Sequence, residues 1–287
     1  MSPLLETLIV FQHEMKRSLR SAKTLVLLIL YGLATVISGL VFIAATRALQ
    51  DKLNDALKGQ ELPPAAMMEM KLGGLSAIFG KDDEQLKYLA SMPLIVIFFT
   101  WFALFFLPLL TSLIGFDQVS GELQTRSIRF VSLRARRGAL LAGKVLAQLA
   151  LLLGLTAIIN LAVFGYAAAS IKDFPIGSGF VAMARFWALT LVYATAYVGV
   201  ATLCSCLFRT PIFSFLCSIA YLFLTWVLAL LAHLDQFSFV KYVLPSYYQD
   251  GFFKPDAMAV LGSVGALCGF AAVFLALSYV ALRTRDV

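Results

Sequence analysis

Long apolar runs alternate with short polar connections along this chain. Six runs, at 25–45, 93–114, 145–169, 180–208, 212–232 and 257–282, are each long enough to cross a bilayer, because a helix needs roughly 20 apolar residues to traverse the hydrocarbon core. The pattern therefore predicts an all-α integral membrane protein with six transmembrane helices. Ahead of the first run, Leu4, Leu8, Phe11, Met15 and Leu19 recur at steps of four and three, with Glu6, His13, Arg17 and Arg20 opposite. That spacing predicts an amphipathic helix in the membrane interface with its apolar side toward acyl chains, N-capped by Ser2 with Pro3 in its first turn. The expected organisation is an interfacial helix over 1–24 and a six-helix transmembrane domain over 25–287.

The connections carry their own signals. Leu49, Leu53 and Leu57 prolong the first span, Pro63 and Pro64 end it, and a second polar helix is expected over 82–90, so 46–92 reads as a helical cap outside the membrane. The stretch 233–256 is dense in Phe and Tyr and belongs near the headgroups, lying along them or dipping in and returning. Pro108 is expected to kink the second span, and Arg185 to snorkel from the fourth. Among the polar side chains inside the spans, Thr100 and Trp101, Asn160, Tyr193 and Tyr197, then Tyr221, Thr225 and Trp226 stand out. Asn160 is the sharpest signal, because an amide in hydrocarbon needs a partner and should face protein or a water-filled path.

Composition agrees with the pattern. The chain is 61% hydrophobic and 14% charged, against about 45–50% and about 25% for soluble domains, and its mean hydropathy is +0.88. Too little sequence lies outside the spans for a separate catalytic domain. Charge then supplies orientation. The loop 116–144 carries Arg126, Arg129, Arg134, Arg136, Arg137 and Lys144 against only Asp117 and Glu122. Placing that loop in the cytoplasm, as Lys and Arg near span ends require, puts 13 of the 23 basic and 5 of the 16 acidic residues inside, with both termini. The expected location is a bacterial cytoplasmic (inner) membrane. Topology and anionic lipid account for the basic excess, so no nucleic-acid partner is implied.

Chemistry is conspicuous by exclusion. The segment GALLAGKV at 138–145 has the spacing of a phosphate-binding loop but ends in Val where Ser or Thr would hold Mg²⁺, and no strand precedes it. Cys204 and Cys206 point about 200° apart on a helix, and the four cysteines read as small packing residues. His13 and His233 fall on opposite sides of the membrane, and the spans hold no carboxylate. Neither a metal site, a His-based triad nor a proton relay can be assembled, so the chain is not expected to be an enzyme.

Glu122, the arginines after it and the closing RGALLAGK, together with the interfacial helix, the six spans and the YVLPSYYQD stretch before the last one, resemble the ABC-2 type exporter permeases, including those similar to the nitrous-oxide-reductase maturation permease. Three positions depart from that pattern: Arg126-Ser127 stands where such permeases often have Gly-Thr, and Arg134 where they often have Pro. The resemblance implies a permease working as a homodimer or with a related permease copy, surrounded by membrane lipids and bound by a separate ABC ATPase subunit. Cofactors in this chain would be none, with ATP and Mg on that partner. It assigns ATPase coupling to Glu122, Arg126, Arg129, Arg134, Arg136 and Arg137. It also implies a path opened by tilting of the second and fifth spans, for which Thr100, Trp101, Asn160, Tyr221, Thr225 and Trp226 are the candidate lining, serving an amphipathic or unknown substrate. The alternative is a non-transporting scaffold or assembly factor whose cap recruits an extracytoplasmic partner protein.

Overall fold

Six helices in the computed structural model, which describes residues 2–56, 69, 71–76, 80, 82–132, 135–171, 174–232 and 234–285, are long and apolar enough to cross a membrane. They are α2 (Ala22–Ala56), α4 (Leu94–Gly115), α7 (Arg137–Ser170), α8 (Ile176–Leu207), α9 (Pro211–Leu231) and α10 (Ala257–Arg283). Around them lie α1 (Pro3–Arg20), α3 (Asp83–Ala90) and two short helices of the arginine loop, α5 (Ser120–Gln124) and α6 (Ile128–Ser132). The described residues contain no strand, so the all-α membrane architecture holds. α2 continues past the apolar run, as its leucine repeat predicts, and α4 runs on through Pro108 without interruption. Part of the expected cap, including 57–68, lies outside the described residues.

Burial sorts the bundle into centre and periphery. α8 and α4 have 78% and 67% of their apolar windows buried, whereas α2, α9 and α10 have 22%, 17% and 17%. α8 reaches the centre because it is built from small residues: Ala194, Ala196 and Ala201 are fully buried. At Gly199 an added Cβ would lie 3.1 Å from Phe274 of α10 and 3.4 Å from the Ala271 carbonyl, so the two helices approach through glycine, as membrane helices commonly do. The sparsely buried α2, α9 and α10 turn their apolar faces outward, to lipid or to another chain.

Three helix C-termini are closed by arginines from elsewhere. Arg47 donates to Ser170 O of α7 at 2.8 Å, Arg137 to Arg283 O of α10 at 2.6 Å, and Arg285 to Leu207 O of α8. The last carbonyls of a helix lack partners in their own helix and sit at the negative end of its dipole, so a guanidinium is a suitable cap. Burial, and secondarily the neighbouring Arg209, pulls Arg285 below its ordinary pKa.

At the end of the bundle opposite the arginine loop, α3 buries Leu86 and Leu89, and Arg185 of α8 donates to the Tyr88 hydroxyl. Arg185 therefore does not simply snorkel: it ties α3 to the centre of the bundle. The aromatic stretch before α10 forms two 3-10 segments, Asp235–Val243 and Pro245–Phe253, with His233 outside the described residues. The second segment plugs the bundle, because Phe252 and Phe253 are buried and Phe253 packs on Phe186 with ring centroids 5.6 Å apart.

Candidate functional site

Glu122, in the arginine loop, is only 6% exposed. Its Oε1 accepts from Lys144 Nζ at 2.7 Å and from Arg17 Nη1 at 2.8 Å. Lys144, on α7, is 1% exposed and also donates to Glu14 of α1 at 2.6 Å. Two carboxylates therefore meet one buried ammonium and one half-exposed guanidinium, a balanced set that joins α1, the loop and the base of α7. Burying charge this deeply is tolerable only with such pairing, since an ion without its partner would bear the full desolvation cost.

The sequence builds this junction by turning one face of α1 inward. Glu6, Val10 and Glu14 recur at steps of four and are the buried residues of that helix, while Leu4, Leu8 and Leu19 stay exposed. The outward leucines fit the interfacial expectation, but the acidic face meets protein rather than water. α1 comes close to α7 because position 143 is glycine: an added Cβ would lie 2.6 Å from Val10 Cγ1 and 3.0 Å from the Thr7 carbonyl. The phosphate-loop look-alike thus acquires a structural meaning, with Gly143 admitting α1 and Lys144 bonding it. Glu6 completes the contact by accepting from the Arg136 backbone N–H at 3.0 Å, placing a carboxylate at the N-terminus of α7.

Hydroxyls fix the rest of the loop. Ser205 of α8 accepts from the backbone N–H groups of Val119 and Ser120 at 2.9 and 3.0 Å, which serves the first turn of α5. Ser214 of α9 donates to Phe116 O at 2.7 Å, and Lys23 pairs with Asp117 at 2.7 Å. Beyond α5 the backbone turns through Arg126 at φ 58°, the one non-glycine residue with positive φ among the described residues. That is the conformation a glycine adopts without steric cost, and it coincides with a position where the sequence departs from the permease pattern.

Of the six residues expected to couple to an ATPase, Arg126, Arg129 and Arg136 are exposed. Glu122 faces inward instead, because Lys144 and Arg17 hold it there. Arg137 is occupied by the carbonyls of Leu282, Arg283 and Arg285. Arg134 lies outside the described residues. Sequence reasoning counted Lys144 only among the loop's basic charges and gave Glu14 no role, although a lysine continuing into an apolar run was a usable signal of burial. It also passed over Phe130, which is 75% exposed between the loop's basic residues.

The six candidate path residues do not share one space within the chain. Thr100 and Asn160 line a cavity of about 20 Å³ between α4, α7 and α8, with Trp187 and Thr190, which is room for about one water molecule. Trp101 and Trp226 are exposed, at 51% and 62%. Tyr221 sets its ring edge-on to Phe274, and Thr225 donates to Leu222 O of its own helix.

Comparison with curated proteins returned no match. The family profile described as ABC-2 family transporter protein matches residues 8–287, which takes in α2 to α10, most of α1 and Glu14, Arg17, Glu122 and Lys144 of the buried junction. This chain, a multi-pass membrane protein, belongs to the ABC-2 family of transporter proteins.

Proposed function

We propose that the chain is the permease subunit of an ATP-binding cassette exporter, with the arginine loop as the seat of a separate ATPase subunit. The observation that carries this reading is the way the loop is mounted. Its inner side is fastened to α1, α7, α8 and α9 by Glu122, Ser120, Val119 and Phe116, while Arg126, Arg129, Arg136 and the ring of Phe130 stand exposed. A part fastened to four helices passes a push on to them instead of absorbing it, and an exposed aromatic among guanidinium groups suits an acidic-rimmed apolar groove.

Force on α5 would then reach α1 and α7 through Lys144, and α9 through Ser214. Glu122 uses Oε1 for both of its bonds, and its Oε2 has no partner among the described residues. That oxygen gives the carboxylate a second acceptor as the loop rotates. The path would form between permease copies, where Trp101 and Phe105 of α4 and Trp226 of α9 are exposed, rather than inside one chain, where the cavity beside Thr100 and Asn160 is too small for cargo. In this reading the loop and both termini are cytoplasmic, in a bacterial inner membrane, and ATP and Mg belong to the partner.

Co-purification from membranes tests the proposal. A stoichiometric ATPase subunit, released when Phe130 and Arg126 are replaced by Ala, is the expected result. An ATPase-free complex held through the cap would overturn it in favour of a scaffold.

A further inference from the structure

Cys204 of α8 and Cys217 of α9 hold their Sγ atoms 3.3 Å apart. Spacing along the chain gives no hint of the pair, which exists because a short turn folds α9 back along α8. Cys204 lies three residues from the end of α8 and Cys217 six from the start of α9, so both thiols sit within about 10 Å of the loop end of the bundle at 1.5 Å per residue. Cys204 is buried and Cys217 half-buried, which leaves one side of the pair open. Cys206 points away on the far side of α8, and Cys268 stands exposed on α10.

We propose that Cys204 and Cys217 form an oxidation site that closes to a disulfide with a peroxide and thereby staples α9 to α8. One sulfur attacks a peroxide oxygen. The S–O bond forms as the O–O bond breaks, and the departing hydroxide takes up the thiol proton as water. The second sulfur then displaces the oxygen from the first, which leaves as a second water carrying the remaining thiol proton. Two electrons pass from the sulfurs to the peroxide, so two thiols and hydrogen peroxide give one disulfide and two waters. Reaching the ~2.05 Å of an S–S bond requires an approach of a little over 1 Å.

The consequence follows from where the two helices sit. α8 is the most buried span and α9 among the least buried, so the staple would fix a peripheral helix to the buried centre. This step rests on the transport reading above, in which α9 carries motion received through Ser214. Oxidation would then arrest coupled turnover, and a dithiol reductant would restore it.

The test uses the full chain with its ATPase in lipid nanodiscs, treated with hydrogen peroxide, alkylated, digested and mapped by mass spectrometry. A peptide joining Cys204 to Cys217, lost on reduction, is expected. A several-fold fall in ATP-dependent transport should accompany it, reversed by dithiothreitol and absent in Cys217→Ser. Recovery of both cysteines free, or each singly oxidised without a link, would overturn the site. A link without any change in transport would overturn the arrest. The mass readout does not depend on the ATPase, so a complex that never couples would count against the exporter reading and leave the thiol pair to be judged by its own peptide.

Discussion

Lys144 Nζ lies 2.6 Å from Glu14 Oε1, joining residues 130 positions apart, and Glu122 completes the pairing from the other side. Replacing Lys144 with Met leaves two buried carboxylates facing each other with only Arg17 nearby. Removing one member of a buried ion pair costs about 3–5 kcal/mol, so Lys144→Met should lower thermal stability in detergent markedly. Adding Glu14→Gln should restore much of the loss, because the uncompensated charge goes with it. If the double variant is no more stable than Lys144→Met, the charge balance is not what holds the junction.

Phe130 separates docking from folding. Its side chain is 75% exposed, so Phe130→Ala should change the melting temperature little. It should nevertheless weaken ATPase association and ATP-dependent transport several-fold, as loss of an aromatic anchor does at an interface. A stability loss comparable to that of Lys144→Met, with ATPase binding intact, would place Phe130 in the fold instead.

Hydropathy was enough to foresee the spans, because burial in lipid demands long uninterrupted apolar runs whatever the tertiary contacts. The regular helix α1 was also legible, from leucines at steps of four and three. What the periodicity did not reveal was that its opposite face is a contact surface: Glu6 and Glu14 look solvated until Lys144 and the N-terminus of α7 arrive from 130 residues away. The coupling residues suffered the same ambiguity. Glu122 and Arg137 read as surface charges, and only tertiary pairing turns them inward. The candidate path residues were picked one span at a time, and packing distributes them between a small cavity and the outer surface.

Gly143 offers a way to detach α1 without touching charge. A side chain there meets Val10 Cβ at 2.7 Å and the Thr7 carbonyl at 3.0 Å, and the carbonyl is backbone that cannot rotate aside. Gly143→Val should cost about 1–3 kcal/mol, the usual range for overpacking, and expose α1 to limited proteolysis. Unchanged cleavage would mean that α1 does not lean on α7 at this point.

Orientation can be read with one added thiol. Glu84 of α3 is exposed at the cap end, so Glu84→Cys should react in intact cells with a membrane-impermeant maleimide, above the background of the unsubstituted chain. Protection in intact cells and reaction after lysis would invert the proposed topology, placing the arginine loop outside and out of reach of an ATPase.

Arg126 combines a backbone cost with an exposed charge. At φ 58° it occupies the left-handed region, which costs an L-residue roughly 1–2 kcal/mol per position and glycine almost nothing. Arg126→Gly should therefore hold or raise the stability of the permease while weakening its ATPase complex. Arg126→Ala should remove the same charge but keep the strain, so comparing the two isolates the backbone contribution at equal loss of charge. If Arg126→Gly binds the ATPase as well as the unsubstituted chain, the guanidinium takes no part in docking, and the turn alone is what this position supplies.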